Sequence, residues 1–132
     1  MSRRELREQI FKLLFRVEFN EVEEMPEQLA LFFEQDEPLD EADKEEISTK
    51  YTKILEKKDE LDNMLNEKAT GWTVDRMGKV DLTILRLALF EMLYDDKVPV
   101  SVAINEAVEL AKKFGQTDSP GFINGVLAKF AN

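Results

Sequence analysis

Apolar residues along this chain recur mainly three and four positions apart. Leu6, Ile10, Leu13, Leu14 and Val17 form the first such series, after a Ser2–Glu5 pair with the spacing of a capping box. This predicts a helix from about Arg3 to Phe19. Pro26 suits a helix start, and Leu29, Phe32 and Phe33 predict a short second helix that stops before Pro38. Asp40 is placed to cap a third helix whose inner face is Ile47, Tyr51, Ile54 and Leu55. Leu61, Met64 and Leu65 extend the pattern towards Gly71, as a bend of that helix or as a fourth.

Gly71-Trp72-Thr73 breaks the pattern, and Trp72 is expected to be a core anchor near a hinge. Val80, Ile84, Leu85, Ala88, Leu89 and Met92 then predict a strongly amphipathic helix. Arg86 within it is expected to pair with an acid. Pro99 ends that helix and opens the next, with Ile104, Ala107, Val108, Ala111 and Phe114 inward and Gly115 as its C-cap. The run VPVSVAI is β-prone by propensity, but it continues directly into this helical period. Asp118 or Ser119 caps a last helix with Pro120 at its start and Ile123, Val126, Leu127 and Phe130 as its stripe. The expected fold is all-α, with six to seven helices and no strand.

Composition narrows the chemistry. The 132 residues include no Cys and no His, which removes thiolate nucleophiles, imidazole acid–base chemistry, disulfides and the usual zinc sites. There is no Gly-rich phosphate loop and no Ser nucleophile elbow. Glu pairs between positions 18 and 46 lie in a charge-dense stretch that reads as solvated surface. The expectation is a protein without catalytic residues, metal or cofactor. The longest uncharged run, Ser119–Ala128, is far below the ~20 residues of a membrane span. With charges scattered through the N-terminus and no Cys, a cytoplasmic location is expected.

A net charge of −10 argues against a nucleic-acid partner, but its distribution changes the picture. Residues 1–16 carry five bases and two acids, residues 17–48 thirteen acids and one base, and residues 49–132 twelve bases and thirteen acids. The acidity is concentrated in one segment. Arg3, Arg4 and Arg7 crowd the first turns of a helix, where the dipole favours acids instead. A local rule broken at adjacent positions points to function.

Three blocks carry a family resemblance. WTVDRMGKVDLTILRLALFEM (72–92), PVSVAINEAVELAKKFG (99–115) and SPGFINGVLAKF (119–130) resemble the NusB family's Trp/Arg/Asp-then-ILR helix, its INEA-x-ELAK-x-FG block and its NGVL ending. The opening RRELREQIFKLLF resembles the family's Arg-rich start, with Phe15 where the family usually has Tyr. The resemblance is most specific over 72–130 and weakest over 20–65.

It implies two small helical bundles side by side, placed at about 1–57 and 58–132. It implies binding of boxA-type RNA of ribosomal RNA operons together with ribosomal protein NusE, in an antitermination complex on RNA polymerase. It also allows a homodimer. Matched position by position, the RNA candidates are Arg3, Arg4, Arg7, Phe15, Asp118 and Phe122, with Lys12 and Arg16 as flanks. The partner candidates are Phe15, Asp75 and Asp81. Each also has a plain reading: Arg3, Arg4 and Arg7 suit a solvated terminus, Phe15 lies in the row Phe11/Phe15/Phe19, Phe122 edges a core stripe, and Asp75, Asp81 and Asp118 suit helix caps. The amides at the start of the last helix also suit phosphate. Asn105, Glu106, Lys112, Asn124 and Gly125 are motif residues read as structural, with Asn124-Gly125 as a close helix contact.

Two alternatives stand beside this. A NusB-like domain also precedes ribosomal RNA cytosine methyltransferases, and an end two residues after Phe130 suits such a fragment, whereas Met1 and the basic opening do not. A protein-only adaptor is the other.

Overall fold

The computed structural model describes residues 1–34 and 39–131. Among these are seven α-helices and no strand: α1 (Arg3–Phe15), α2 (Met25–Phe32), α3 (Glu41–Glu56), α4 (Lys58–Lys68), α5 (Lys79–Tyr94), α6 (Val100–Phe114) and α7 (Ser119–Ala128). Short 3₁₀ turns lie at Arg16–Phe19, Val22–Glu24 and Val74–Arg76. The chain divides into two compact units, Met1–Leu55 and Glu56–Asn132.

In the first unit, Ser2 caps α1 by accepting the Glu5 amide at 3.1 Å, one half of the expected box. Leu6, Ile10, Phe11, Leu13 and Leu14 are its buried face. The helix stops at Phe15 and tightens into the 3₁₀ turn through Phe19, four residues short of the expected α-helical end. In α2, Met25 and Phe32 are buried, while Leu29 and the C-cap residue Phe33 are only partly so. The stop expected at Pro38 lies outside the described residues, as does the chain end at Asn132. Asp40 caps α3 as expected, its carboxylate accepting the Asp43 amide at 2.8 Å. Ile47, Tyr51 and Ile54 then line the core. A break at Lys57 makes Lys58–Lys68 a separate helix, which decides between the two readings of that stretch.

The second unit is built on α5. Every residue from Leu82 to Glu91 is buried, so the helix has no solvent face in its middle, contrary to the amphipathic expectation. A helix apolar all round belongs inside, and α4, α6 and α7 pack on this one. The polar intrusions are accommodated. Thr83 donates to the Lys79 carbonyl, and Arg86 forms a bidentate ion pair with Asp62 of α4 at 2.8 and 2.9 Å. On α6 the buried stripe is Ala103, Ala107, Leu110 and Ala111. Ile104, Val108 and Phe114 flank it, one position off the expected register. The small residues let helices approach closely.

Gly115 does end α6, but with φ −94° and ψ −167°, which any residue adopts. It is glycine for space: a Cβ there would lie 2.7 Å from the Ser119 Cβ and 2.8 Å from the Ala111 carbonyl. The expected tight contact at Asn124-Gly125 does not form. Both residues are exposed, and nothing lies within 4 Å of a Cβ at Gly125. Asn105 is exposed too, and Lys112 pairs with Glu109 at 3.3 Å. At the other end of α7, Lys129 Nζ donates to the Lys68 carbonyl and Lys68 Nζ to the Lys129 carbonyl, at 3.0 and 3.3 Å. Two helix C-termini are thus capped reciprocally by cations, as the helix dipole favours.

Candidate nucleic-acid interface

The six RNA candidates divide between the units. Arg3, Arg4, Arg7 and Phe15 lie on α1, and Asp118 and Phe122 lie at the start of α7. Arg3 and Arg4 are exposed at the first turn of α1, whereas Arg7 is buried, a departure from the expected row of three surface cations. The reason is register. Arg7 sits next to Leu6 and three residues before Ile10, so its stem runs with the apolar face. Arg3 pairs with Glu46 of α3, both side chains largely in water. Such a pair is worth ~0–1 kcal/mol, so a phosphate can replace the carboxylate at small cost. Arg16 is engaged within the unit: its guanidinium lies over the Phe32 ring at 5.3 Å and donates to the Gln28 carbonyl at 3.2 Å.

Phe15 is half-buried in a continuous aromatic row. Its ring stacks on Phe11 at 6.1 Å and meets Phe19 edge-on at 5.0 Å. Phe11 is core and Phe19 is 60% exposed, so the row runs from the interior into water with Phe15 between. This is the edge position that the sequence assigns it.

In the second unit, Asp118 is exposed and occupies the N-cap position of α7, but its side chain makes no capping bond. Ser119, 2% exposed, does the local work: its hydroxyl accepts the Gln116 amide at 3.0 Å. The phosphate-binding promise of this helix start is reduced. Ser119 N–H donates to Gln116 and Phe122 N–H to Asp118, and Pro120 has no N–H.

Phe122 is half-exposed and meets Trp72 edge-on at 5.6 Å. Trp72 is not the core anchor expected. It is 48% exposed, and the Arg76 guanidinium lies 5.8 Å from its ring centre. The signal for exposure lies in its surroundings: a glycine before it, and charged Asp75 and Arg76 at the third and fourth positions after it. Arg76 belongs to the family motif in the sequence but is not among the site candidates read from it.

Of the partner candidates, Asp75 is exposed in the 3₁₀ turn and accepts a hydrogen bond from the Thr73 hydroxyl. Asp81 is half-exposed in the first turn of α5, beyond the N-cap residue Gly78, so it complements the helix dipole without being the cap. Among the described residues no group of three or more acids, His or Cys could hold a metal ion. Among the same residues no helix is long and apolar enough to cross a membrane.

Comparison with known proteins addresses the family and the fold. The chain is 50% identical over 129 residues to the transcription antitermination protein NusB of Lachnoclostridium phytofermentans, covering 98% of each chain. It is 50% identical over 132 residues to that of Agathobacter rectalis, covering 99% of this chain and all of the relative. Its fold superposes on T. maritima NusB with a TM-score of 0.89 at 34% identity, covering 99% of this chain and 91% of the other. It also superposes, with a TM-score of 0.82 at 22% identity and covering 96% and 92%, on a structure of antitermination factors NusB and NusE in complex with double-stranded RNA. The family model described as the NusB family matches residues 4–132, and the chain belongs to that family of transcription antitermination proteins.

Proposed function

We propose that the chain binds boxA-type RNA of ribosomal RNA operons jointly with ribosomal protein NusE. It acts in the cytoplasm as part of an antitermination complex on RNA polymerase, by binding alone and without catalysis. The observation that carries this is Phe122: a half-exposed ring at the start of α7, beside an exposed Asp118. Aromatic faces left at a surface suit unpaired bases, and each stacked base is worth ~1–3 kcal/mol. A relative of the same fold has been solved with NusE and RNA, which supports both partners. Its RNA is double-stranded; a single strand is proposed here because a ring can stack only on a base that is out of a duplex. Arg3 and Arg4 supply phosphate contacts, and Phe15, Asp75 and Asp81 face NusE.

The test is a titration of boxA-type and scrambled single-stranded RNA, with and without NusE. The expected outcome is preference for the boxA type, and tighter binding with NusE present. Equal affinity for the scrambled strand, with no effect of NusE, refutes the reading. Phe122→Ala is expected to weaken RNA binding by about tenfold, in line with one lost stack, with helical circular dichroism unchanged.

A further inference from the structure

We propose that Trp72 and Arg76 form an RNA contact of their own next to Phe122, the indole stacking on an unpaired base and the guanidinium meeting a phosphate. This rests on the RNA reading above and extends it to residues that the reading did not include.

The chain's single tryptophan is 48% exposed, although a side chain of this size normally serves a core. Its exposure is built in and does not come from a loose loop. Trp72 N–H donates to the Ala69 carbonyl at 2.8 Å, directly after the end of α4. Gly71 turns the chain with φ +80°, a left-handed value that favours glycine. Val74 N–H donates to the Asn66 side chain at 2.8 Å, tying the loop back to α4. Arg76 donates to the Gly71 carbonyl at 3.4 Å while its guanidinium lies near the indole. A ring held this way loses little freedom on binding, which favours a ligand that is itself flat and rigid.

The chemistry around the ring selects the ligand. Phe122 and Trp72 meet at an interplanar angle of 68°, so a base laid on one ring meets the edge of the other. Every base has a π-face, and such corners take unpaired bases without strict sequence choice. A cation next to the indole matches the phosphate that accompanies each base. The acid of this loop, Asp75, is engaged by the Thr73 hydroxyl.

Because Trp72 is the sole tryptophan, its fluorescence reports the contact directly. Unlabelled boxA-type single-stranded RNA is titrated into the wild-type chain with NusE while indole emission is followed; a tryptophan-free NusE keeps the signal specific. Anisotropy of the same RNA carrying a dye gives affinity independently. Saturating quenching is expected at the dissociation constant found by anisotropy. Trp72→Ala is expected to bind about tenfold more weakly and Trp72→Phe within about threefold of wild type. Arg76→Gln is expected to lower the slope of log affinity against log salt by about 0.7. RNA binding with unchanged indole emission and an unaltered Trp72→Ala affinity overturns this contact and leaves the Phe122 reading standing. So does a Trp72→Ala chain that loses NusE affinity but keeps RNA affinity, which marks the ring as a protein contact. Absence of any RNA binding by the wild type overturns both. The wild-type emission measurement decides the matter even if a variant fails to fold.

Discussion

Tyr51 carries a hydroxyl into the core of the first unit, where the ring is 3% exposed and the oxygen has no hydrogen-bond partner among the described residues. Burial disfavours the phenolate and pushes its pKa up to about 12, from an ordinary value of 10.0. The unfolded chain therefore releases this proton first as pH rises. Above pH 10 the unfolded state binds fewer protons than the folded one, and stability falls by about 1.4 kcal/mol per pH unit until about pH 12. Tyr51→Phe is expected to remove this part of the alkaline loss. It is also expected to raise stability at neutral pH by about 1 kcal/mol, because it deletes an unsatisfied buried group. Urea unfolding of both chains at pH 7 and in the alkaline range checks it; equal slopes against pH assign the loss to other groups. The sequence showed Tyr51 as an inner-face residue, since spacing alone places it with Ile47 and Ile54. It did not show that the hydroxyl lacks a partner, because that depends on what other elements bring near it. Arg7 and Trp72 went astray for the same reason. Residue type and spacing suggested a surface cation and a core ring, and packing produced the reverse.

Elements were more legible than residues. Caps at Ser2 and Asp40, the proline openings of α2 and α6, and the overriding of a β-prone run by helical period all follow from local chemistry, and the helices start where it says. Register was harder. The α6 stripe is turned by one position because small alanines, weak as hydrophobic markers, lie at the closest approach. The α5–α4 contact is fixed by Arg86 and Asp62, whose side chains are 8% and 13% exposed. Removing one member of a buried pair strands the other charge. Arg86→Met is expected to cost about 3 kcal/mol, at the low end for such pairs because Lys58 remains 3.8 Å from Asp62. The double change Arg86→Met with Asp62→Leu is expected to recover most of that loss, since well-packed apolar replacements of buried pairs are often near neutral. Chemical unfolding of the two variants decides this; a double variant weaker than the single one would mean the pair is worth more than its replacement.

For the molecule as a whole, charge sets the character of binding. A chain of net charge −10 repels a polyanion at long range, and thirteen of its 28 acids lie in residues 17–48. The proposed contact with RNA therefore depends on a few placed cations and on stacking, not on a broad basic field. If Arg3, Arg4 and Arg76 meet phosphates as proposed, log affinity falls with log salt at a slope of about −2, from ~0.7 per phosphate on a single strand. Titrations at several salt concentrations measure it directly, and a slope steeper than about −4 would place the contacts elsewhere. Overall composition hid this, because the sum of charges points away from RNA while three positions point towards it.

The middle of α5 has a consequence for how this chain tolerates change. From Leu82 to Glu91 every side chain is enclosed, so ten consecutive codons specify no surface position. In an ordinary amphipathic helix one face meets water, and substitutions there usually change stability by no more than ~0.5 kcal/mol. Here each exchange alters a packed volume or a satisfied polar group, and the single changes best tolerated are apolar swaps that conserve volume. Single substitutions in this segment are therefore expected to be tolerated less often than on the wet faces of the helices around it.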